Sequence, residues 1–290
     1  MGTTARGLTV STDDADAIAA LDDHTLRLAR ILPGADGVLA AAEAHPGVVA
    51  LQTAAAMLFL YGQTADADAA ATTWLAAADA AADRTANEHE RAVLAAAHRW
   101  HHGAFLATRD ALEAVVARWP RDLLALKALE FVYYVLGQQH NGPRFLATVE
   151  GVAPANPDDA DVLAVWSFAA ELSDDEVRAA DLAEQALAIE PHTPWAHHAL
   201  AHVWITQGDP APAVDRLSGF RSVWETSGRV VQCHNAWHLA VALLDRLDVF
   251  LYAYLTAHVL YLGRASLTVL LKLGRPLPRK PAATPDPTQP

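Results

Sequence analysis

The sequence predicts an all-α protein, built as an α-solenoid of about six helix pairs. Apolar helical patterns end at near-constant intervals, because Gly103, Gly137, Asp174 and Gly208 lie 34, 37 and 34 residues apart. Prolines that stop the second helices keep the same step, at Pro120, Pro154 and Pro191. The sequence contains no sustained alternation of apolar and polar residues, which is the pattern that predicts a strand. Thirty-four residues is the period of the tetratricopeptide repeat, in which each unit is a helix, a tight turn and a second helix.

Six stretches fit this template in chain order. They are 48–81, 89–122, 123–156, 160–193, a unit that begins at Pro194 and a unit that begins at Cys233, with Leu247 at its turn. Much of the 52% hydrophobic content is alanine, which favours helix and allows close helix packing. We therefore predict one TPR-like domain over 1–275, with its clearest repeats at 89–247, and a disordered proline-rich tail at 276–290.

Composition excludes several classes of protein. The net charge of −13 argues against nucleic acid and anionic lipid as partners. The single cysteine, Cys233, allows no internal disulfide, and residues 1–14 do not resemble a secretory signal, so we expect a cytoplasmic protein. The apolar stretch Val249–Leu271 contains His258, Gly263 and Arg264, which favour a buried helix pair over a membrane span.

The fourteen histidines and eight tryptophans include a set with regular placement. In tetratricopeptide repeats the first helices line a concave groove, and positions 2, 5, 9 and 12 of each unit point into it. Applied to this chain, that rule predicts these groove residues: Glu90, Lys127, Glu171, Trp195, His198, His202, His234 and Trp237. His238 follows His234 by one helical turn. Two neighbouring first helices thus each carry a histidine pair at i and i+4, on one helix face, and we predict that the four imidazoles converge.

Three interpretations of this histidine quartet stay open. Two His-x-x-x-His pairs on adjacent helices can supply three or four ligands to Zn²⁺, Fe²⁺ or Cu²⁺, or ligate haem. Alternatively, the four histidines and Glu171 act directly on a substrate as catalytic acids and bases. Glu171 then serves as a ligand, an orienting group or a general base. Finally, the histidines form structural hydrogen bonds only.

The remaining candidates carry weaker signals. Trp195 and Trp237 are predicted to wall a small pocket or to form an aromatic shelf for a peptide. Cys233 adjoins His234 in sequence, but catalytic cysteine–histidine pairs are assembled in space, so we do not expect a nucleophile there. His197 takes an inward packing position. His98, His101 and His102 precede the turn at Gly103 and are predicted to be solvated.

Four segments also match a known family pattern. They are VWSFAAEL at 165–172, AEQALAIEP at 183–191, PWAHHALAHVW at 194–204 and CHNAWHLA at 233–240. On these segments, the region 159–244 resembles the tetratricopeptide repeat protein 38 family, in a bacterial form, with weaker similarity back to residue 87. The resemblance implies that the histidine quartet and Glu171 are family features.

The chain also departs from that pattern. Family members carry an acidic residue where this chain has Trp204, Ile205 and Thr206, and they continue with further repeats beyond residue 260. Here the sequence becomes apolar and then proline-rich after Leu247. We therefore expect a form shortened at its C-terminus, with an exposed apolar end that forms a homodimer through Val249–Leu273.

Two functional hypotheses follow. In the first, the groove holds a small ligand or metal ion at the histidine quartet, with enzymatic activity left open. In the second, the groove is a non-catalytic scaffold that binds a partner peptide. The quartet favours the first, because peptide-binding grooves are generally expected to use Lys, Arg and Asn. The general behaviour of repeat proteins favours the second.

Overall fold

A computed structural model describes residues 1–207, 210–244 and Thr256, and these residues are almost entirely helical. The helices are α1 (Ala15–Arg30), α2 (Gly37–Ala44), α3 (Val49–Leu60), α4 (Ala65–Thr85), α5 (Glu88–His101), α6 (Phe105–Arg118), α7 (Leu123–Leu136), α8 (Gln138–Val152), α9 (Ala160–Glu171), α10 (Glu176–Ile189), α11 (Pro194–Thr206), α12 (Pro210–Gly219), α13 (Arg221–Thr226) and α14 (Arg229–Leu244). A short 3₁₀ turn, Ala153–Ala155, follows α8. The predicted all-α class is confirmed.

Consecutive helices pack in pairs. In chain order α3 packs on α4, α5 on α6, α7 on α8, α9 on α10, and α11 on α12. The first helices of neighbouring pairs also pack on one another, with α3 on α5, α7 on α9, and α9 on α11. Helix α9, which ends at Glu171, therefore lies directly beside α11.

The turns inside the pairs use left-handed backbone at the predicted positions. Gly103, Gly137 and Asp174 have φ of 68°, 99° and 59°. At the first pair, Gln63 takes the left-handed conformation, with φ of 46°. Gly62 is needed there for space, since a Cβ atom on it would lie 3.1 Å from the carbonyl oxygen of Phe59. The predicted turns at Gly208 and Leu247 lie outside the described residues.

Aspartate side chains fix where several first and second helices begin. Asp122 accepts a hydrogen bond from the backbone N–H of Ala125 at the start of α7. Asp159 accepts from two backbone N–H groups at the start of α9, and Asp175 from that of Arg178 in α10. Each carboxylate satisfies N–H groups that have no partner inside the helix, so these residues terminate the preceding connection and start the helix.

The core consists of successive apolar clusters between the helix pairs. Alanines occupy the closest contacts, for example Ala169, Ala170, Ala183 and Ala186, each with 0% exposure. The last cluster contains Ala201 of α11, Trp224 of α13 and Val231 of α14. These contacts fix α14 against α11, which positions the two histidine-bearing helices.

Residues Met1–Leu243 form one compact unit. The predicted domain limit at residue 275, the tail 276–290 and the predicted dimer surface Val249–Leu273 lie outside the described residues. Among the helices that the structure describes, none combines the length and the apolar character needed to cross a bilayer.

The structure differs from the sequence predictions at both ends of this unit. Helices α1 and α2 and a two-residue antiparallel strand pair, Gly2–Thr3 with Thr9–Val10, precede the first predicted repeat. The prediction that no strand occurs was therefore wrong for this short pair. The last repeat was predicted to begin at Cys233, whereas α14 begins at Arg229. The Gly228 N–H donates to the Ile31 carbonyl oxygen at 2.6 Å, so the chain turns at Gly228 and the helix starts directly after it.

Candidate metal centre

The histidine quartet, His198, His202, His234 and His238, is brought together as predicted. Helix α11 supplies the first two residues and α14 the last two. One ring nitrogen from each side chain lies within 4.8 Å of the corresponding atom of the other three. The rings of His198 and His238 each contact all three others, at centroid separations of 4.3–5.1 Å. Four imidazoles therefore surround one point between the two helices.

The nitrogen–nitrogen distances suit a shared ion with a small adjustment. Nε2 of His198 lies 2.9 Å from Nε2 of His234, where one nitrogen donates and the other accepts. Two imidazole nitrogens bound to one ion at about 2.0–2.1 Å are about 3.3–3.4 Å apart in a tetrahedral site and about 2.9 Å apart at a right angle. Nitrogens on opposite sides of such an ion are at most about 4.2 Å apart. The widest pair must therefore rotate inward slightly, or three histidines bind and the fourth stays outside.

Glu171, the last residue of α9, orients one member of the quartet. Its Oε1 lies 2.9 Å from Nδ1 of His202. A carboxylate accepts, so Nδ1 of His202 carries the proton and Nε2 presents its lone pair. A carboxylate behind a histidine in this way fixes the ring and strengthens the nitrogen as a metal ligand. Glu171 also places a negative charge next to four imidazoles, which favours a bound cation.

Three polar atoms of this site are buried and have no hydrogen-bond partner within the described residues. They are Nδ1 of His198, Nε2 of His238 and Oε2 of Glu171. A buried polar atom without a partner costs about 1–3 kcal/mol. Three such atoms in one cluster are expensive for a purely structural arrangement. Of the three, Nε2 of His238 can bind an ion directly, whereas Nδ1 of His198 stays unpaired when Nε2 of the same ring is the ligand.

Burial also sets the protonation of the quartet. Desolvation lowers the pKa of His198 well below its usual value, and neighbouring imidazoles and Lys127 lower it further. Burial likewise lowers the pKa of His234, and it lowers the pKa of His238 to about 3. These three rings are therefore neutral near pH 7, which is the form that binds a metal ion.

Aromatic side chains form one wall beside the quartet. The Trp195 ring meets the His198 ring edge-on, with centroids 5.2 Å apart, and it lies 5.7 Å from the Phe168 ring of α9. On the far side, Lys127 Nζ sits 4.6 Å from the Trp195 ring and 2.6 Å from a carboxylate oxygen of Glu130. Trp195 lies against His198, and its role as the wall of a pocket stays a prediction, whereas the charge of Lys127 is already paired.

Trp237 and Glu90, the other predicted groove residues, occupy different settings. Trp237 lies on α14 between His234 and His238 and is 36% exposed. Glu90 is buried, and its carboxylate accepts from the backbone N–H groups of Asn87 and Ser11. Its contacts are with the start of α5 and the N-terminal segment, so it does not join the quartet. The pattern Asn87-x-x-Glu90 is a helix capping box, a signal that the repeat positions alone did not consider.

His197 and His102 lie where the sequence predicts them, the first buried and the second exposed, whereas His98 and His101 are half-buried and hydrogen-bonded. His197 is fully buried, stacks on Phe220 at 3.7 Å between ring centroids, and accepts a hydrogen bond from the Trp224 indole N–H. His98 is at the surface and pairs with Asp79. Cys233 is exposed. The sequence analysis did not identify Phe168, which lies beside Trp195. It also did not identify Glu130 as the partner of Lys127, although these two residues have i, i+3 spacing on α7.

No protein-family model matches the chain. The resemblance to the tetratricopeptide repeat protein 38 family therefore stays a prediction, and the interpretation of the site depends on its geometry.

Proposed function

We propose that the chain binds a transition-metal ion through the histidine quartet, with Glu171 as the residue that orients His202. The observation that carries the proposal is the convergence of four imidazole nitrogens within 4.8 Å, backed by the Glu171–His202 hydrogen bond. Imidazole is a preferred ligand of Zn²⁺, Cu²⁺ and Fe²⁺, so an all-nitrogen set selects this class of ion over Mg²⁺ or Ca²⁺.

A packing role alone accounts poorly for the same residues. The lowered pKa of His198 shows that this site opposes a charged ring, and three of its polar atoms have no partner among the described residues. Apolar residues of similar size would fill the same space without this cost. A bound ion supports three or four of these side chains at once, because it accepts one nitrogen lone pair from each ring that binds it.

Two further proposals set this site in context. We propose that the helix pairs form a TPR-like solenoid with the quartet in its concave groove, and that the chain is a member of the tetratricopeptide repeat protein 38 family. The packing of α7 on α9 and of α9 on α11 supports the first proposal. The match of His198, His202, His234, His238 and Glu171 to the family pattern supports the second.

A metal ion at this place also provides a small-molecule site. An ion with an open coordination position polarises a bound carbonyl or lowers the pKa of a bound water. Trp195 and Phe168 limit the space beside it, and Glu171 Oε2 is a carboxylate oxygen with no described partner. This arrangement suits a small ligand with an oxygen or nitrogen donor atom better than it suits an extended peptide.

Metal content of the purified protein tests the proposal. Purified protein is incubated with Zn²⁺, Cu²⁺ or Fe²⁺, dialysed, and analysed for bound metal per chain. We expect about one ion per chain in the wild type and almost none in His234→Ala plus His238→Ala.

The matched control is His98→Ala plus His102→Ala, which removes a surface pair with the same spacing and keeps the bound ion. Equal metal content in the wild type and in both double variants contradicts the proposal, as does a wild type without metal. The scaffold hypothesis predicts that second result.

A further inference from the structure

A cavity lies where the N-terminal segment covers the starts of α3, α5 and α7. Its volume is about 50 Å³. Leu8 and Val10 of the N-terminal segment, Leu21 of α1, and Ala50 and Ala54 of α3 line it with apolar surface. None of the metal-centre residues contributes to it, so it is a separate site.

A histidine–aspartate pair forms its polar end. His89 Nε2 lies 2.6 Å from Oδ2 of Asp122, whose other oxygen accepts the Ala125 N–H at the start of α7. The carboxylate accepts, so the Nε2 atom of His89 carries a proton. The remaining ring nitrogen, Nδ1, is buried and has no hydrogen-bond partner within the described residues.

Thr53 contributes a second polar atom without a partner in the same cavity. This α3 residue is 3% exposed, and its Oγ1 is buried without a hydrogen bond among the described residues. Most buried polar atoms in folded proteins are paired, so two residues of one cavity wall that each carry an unpaired atom point to a ligand that pairs them. A hydroxyl group suits both, because it donates and accepts, whatever the protonation of His89 Nδ1.

The charged residues in the wall are already engaged. Arg6 pairs with Asp159 at 2.6 Å, and Asp22 accepts from the backbone N–H of Ala5. Glu90 accepts from two backbone N–H groups, as described above. Backbone N–H groups do not neutralise these carboxylates, which disfavours an anionic ligand, and the two atoms without described partners belong to an imidazole and a hydroxyl, which suit a neutral hydrogen-bonding ligand. One water needs about 10–15 Å³ on this measure, so the cavity has room for a ligand of roughly three to five non-hydrogen atoms.

We propose that this cavity is a binding site for a small neutral hydroxyl compound, such as a short-chain alcohol or diol, held by His89 Nδ1 and Thr53 Oγ1. The apolar wall takes the carbon chain, and the N-terminal segment covers it. The inference is independent of the metal centre, since it uses no residue of α11 or α14.

Titration with propane-1,2-diol tests it on the full chain, with the imidazole ¹⁵N signals of His89 followed by NMR. We expect a saturable shift of these signals. Thr53→Val keeps the side-chain shape and removes one hydrogen bond to the ligand, so the affinity falls about fivefold to tenfold. Thr108→Val is the matched control. Thr108 is equally buried, but its hydroxyl bonds the Ala104 carbonyl on α6, so the affinity stays at the wild-type value.

Urea unfolding of both variants shows whether the fold is retained. Because the Thr53 hydroxyl has no described partner, Thr53→Val keeps the wild-type stability or exceeds it. The proposal is overturned if the His89 signals do not shift saturably, which indicates a cavity that holds water only. It is equally overturned if the folded Thr53→Val variant binds the diol as tightly as the wild type does.

Discussion

His98 and His102 lie one helical turn apart at the end of α5, and His198 and His202 have the same spacing on α11. On α5 the residues face solvent, and His98 bonds Asp79 of the neighbouring helix. On α11 the pair meets a second pair from α14, and the four rings converge at one place, where His198 is buried, His202 and His238 are half-buried and His234 is exposed. The i, i+4 spacing alone therefore does not build a site. Two such helices must lie side by side so that their histidines converge.

Deleting one histidine from each pair is expected to give the largest difference in metal affinity between the two regions. His202→Ala deletes a quartet nitrogen and the ring that Glu171 orients, so metal affinity falls by more than about 100-fold. His102→Ala deletes an exposed ring and leaves the affinity unchanged. Competition with a chelator of known affinity measures both. A wild-type affinity in His202→Ala would place the ion outside the quartet.

Replacing the carboxylate that bonds a histidine in each region is expected to give the next largest difference in metal affinity. Glu171→Gln keeps an oxygen that accepts from His202 Nδ1 but removes the charge, so we expect an affinity about 10–100-fold lower. Asp79→Asn makes the same change behind His98 and leaves metal affinity as it was. The same chelator assay applies to both variants. Equal affinities in the two would show that Glu171 has only a packing role.

Acid is expected to destabilise the metal-free protein through His238, whose ring is half-buried and whose Nε2 atom is buried. The pKa of His238 is about 3 in the folded state, against 6.5 in the unfolded chain. Above pH 6.5 both states are neutral there and the stability is unaffected. Between 6.5 and about 3 the unfolded chain binds more protons, so the free energy of unfolding falls as the pH falls, by about 2 kcal/mol at pH 5.

Urea unfolding at pH 7.5 and pH 5 measures this pH effect. His238→Gln removes the titrating ring, so the stability of this variant depends less steeply on pH than that of the wild type. Parallel pH profiles for the two proteins would show that His238 is not held neutral by burial.

The smallest effect on metal binding is expected for His197, which directly precedes His198 in α11. His197→Ala leaves a cavity against Phe220 and removes the acceptor of the Trp224 indole, so stability falls by about 2–3 kcal/mol. The ion binds on the other face of α11, and its stoichiometry stays at the wild-type value under native conditions. Loss of the ion from a folded His197→Ala protein would mean that the two faces of α11 do not act separately.

The helix pairs and the quartet could be predicted because both follow from a repeating pattern. The left-handed turns at Gly103, Gly137 and Asp174 lie where the 34-residue period places them. A period says nothing about residues outside it. Helices α1 and α2 therefore escaped prediction, although Asp14 caps α1 through two backbone N–H groups and gave a local signal.

A repeat position also assigns the same role to every groove residue, whereas the hydrogen-bond partners differ from one residue to the next. Glu90 and Glu171 both occupy predicted groove positions. Two backbone N–H groups engage Glu90, whereas Glu171 has an imidazole partner. Which partner wins depends on the distance to the N-terminal segment, and this long-range contact is not encoded in any spacing within the repeat. For the same reason the cavity at His89 and Thr53 became visible only in three dimensions.

X-ray absorption spectroscopy of the metal-loaded protein tests the central claim most directly. For an ion held by the histidine quartet, we expect three or four nitrogen neighbours at about 2.0–2.1 Å, with the outer-shell scattering that imidazole rings give and no sulfur neighbour. The His98→Ala plus His102→Ala variant gives the same spectrum. A coordination sphere of oxygen atoms without imidazole scattering, or a sulfur ligand from Cys233, would contradict the claim that the histidine quartet holds the ion.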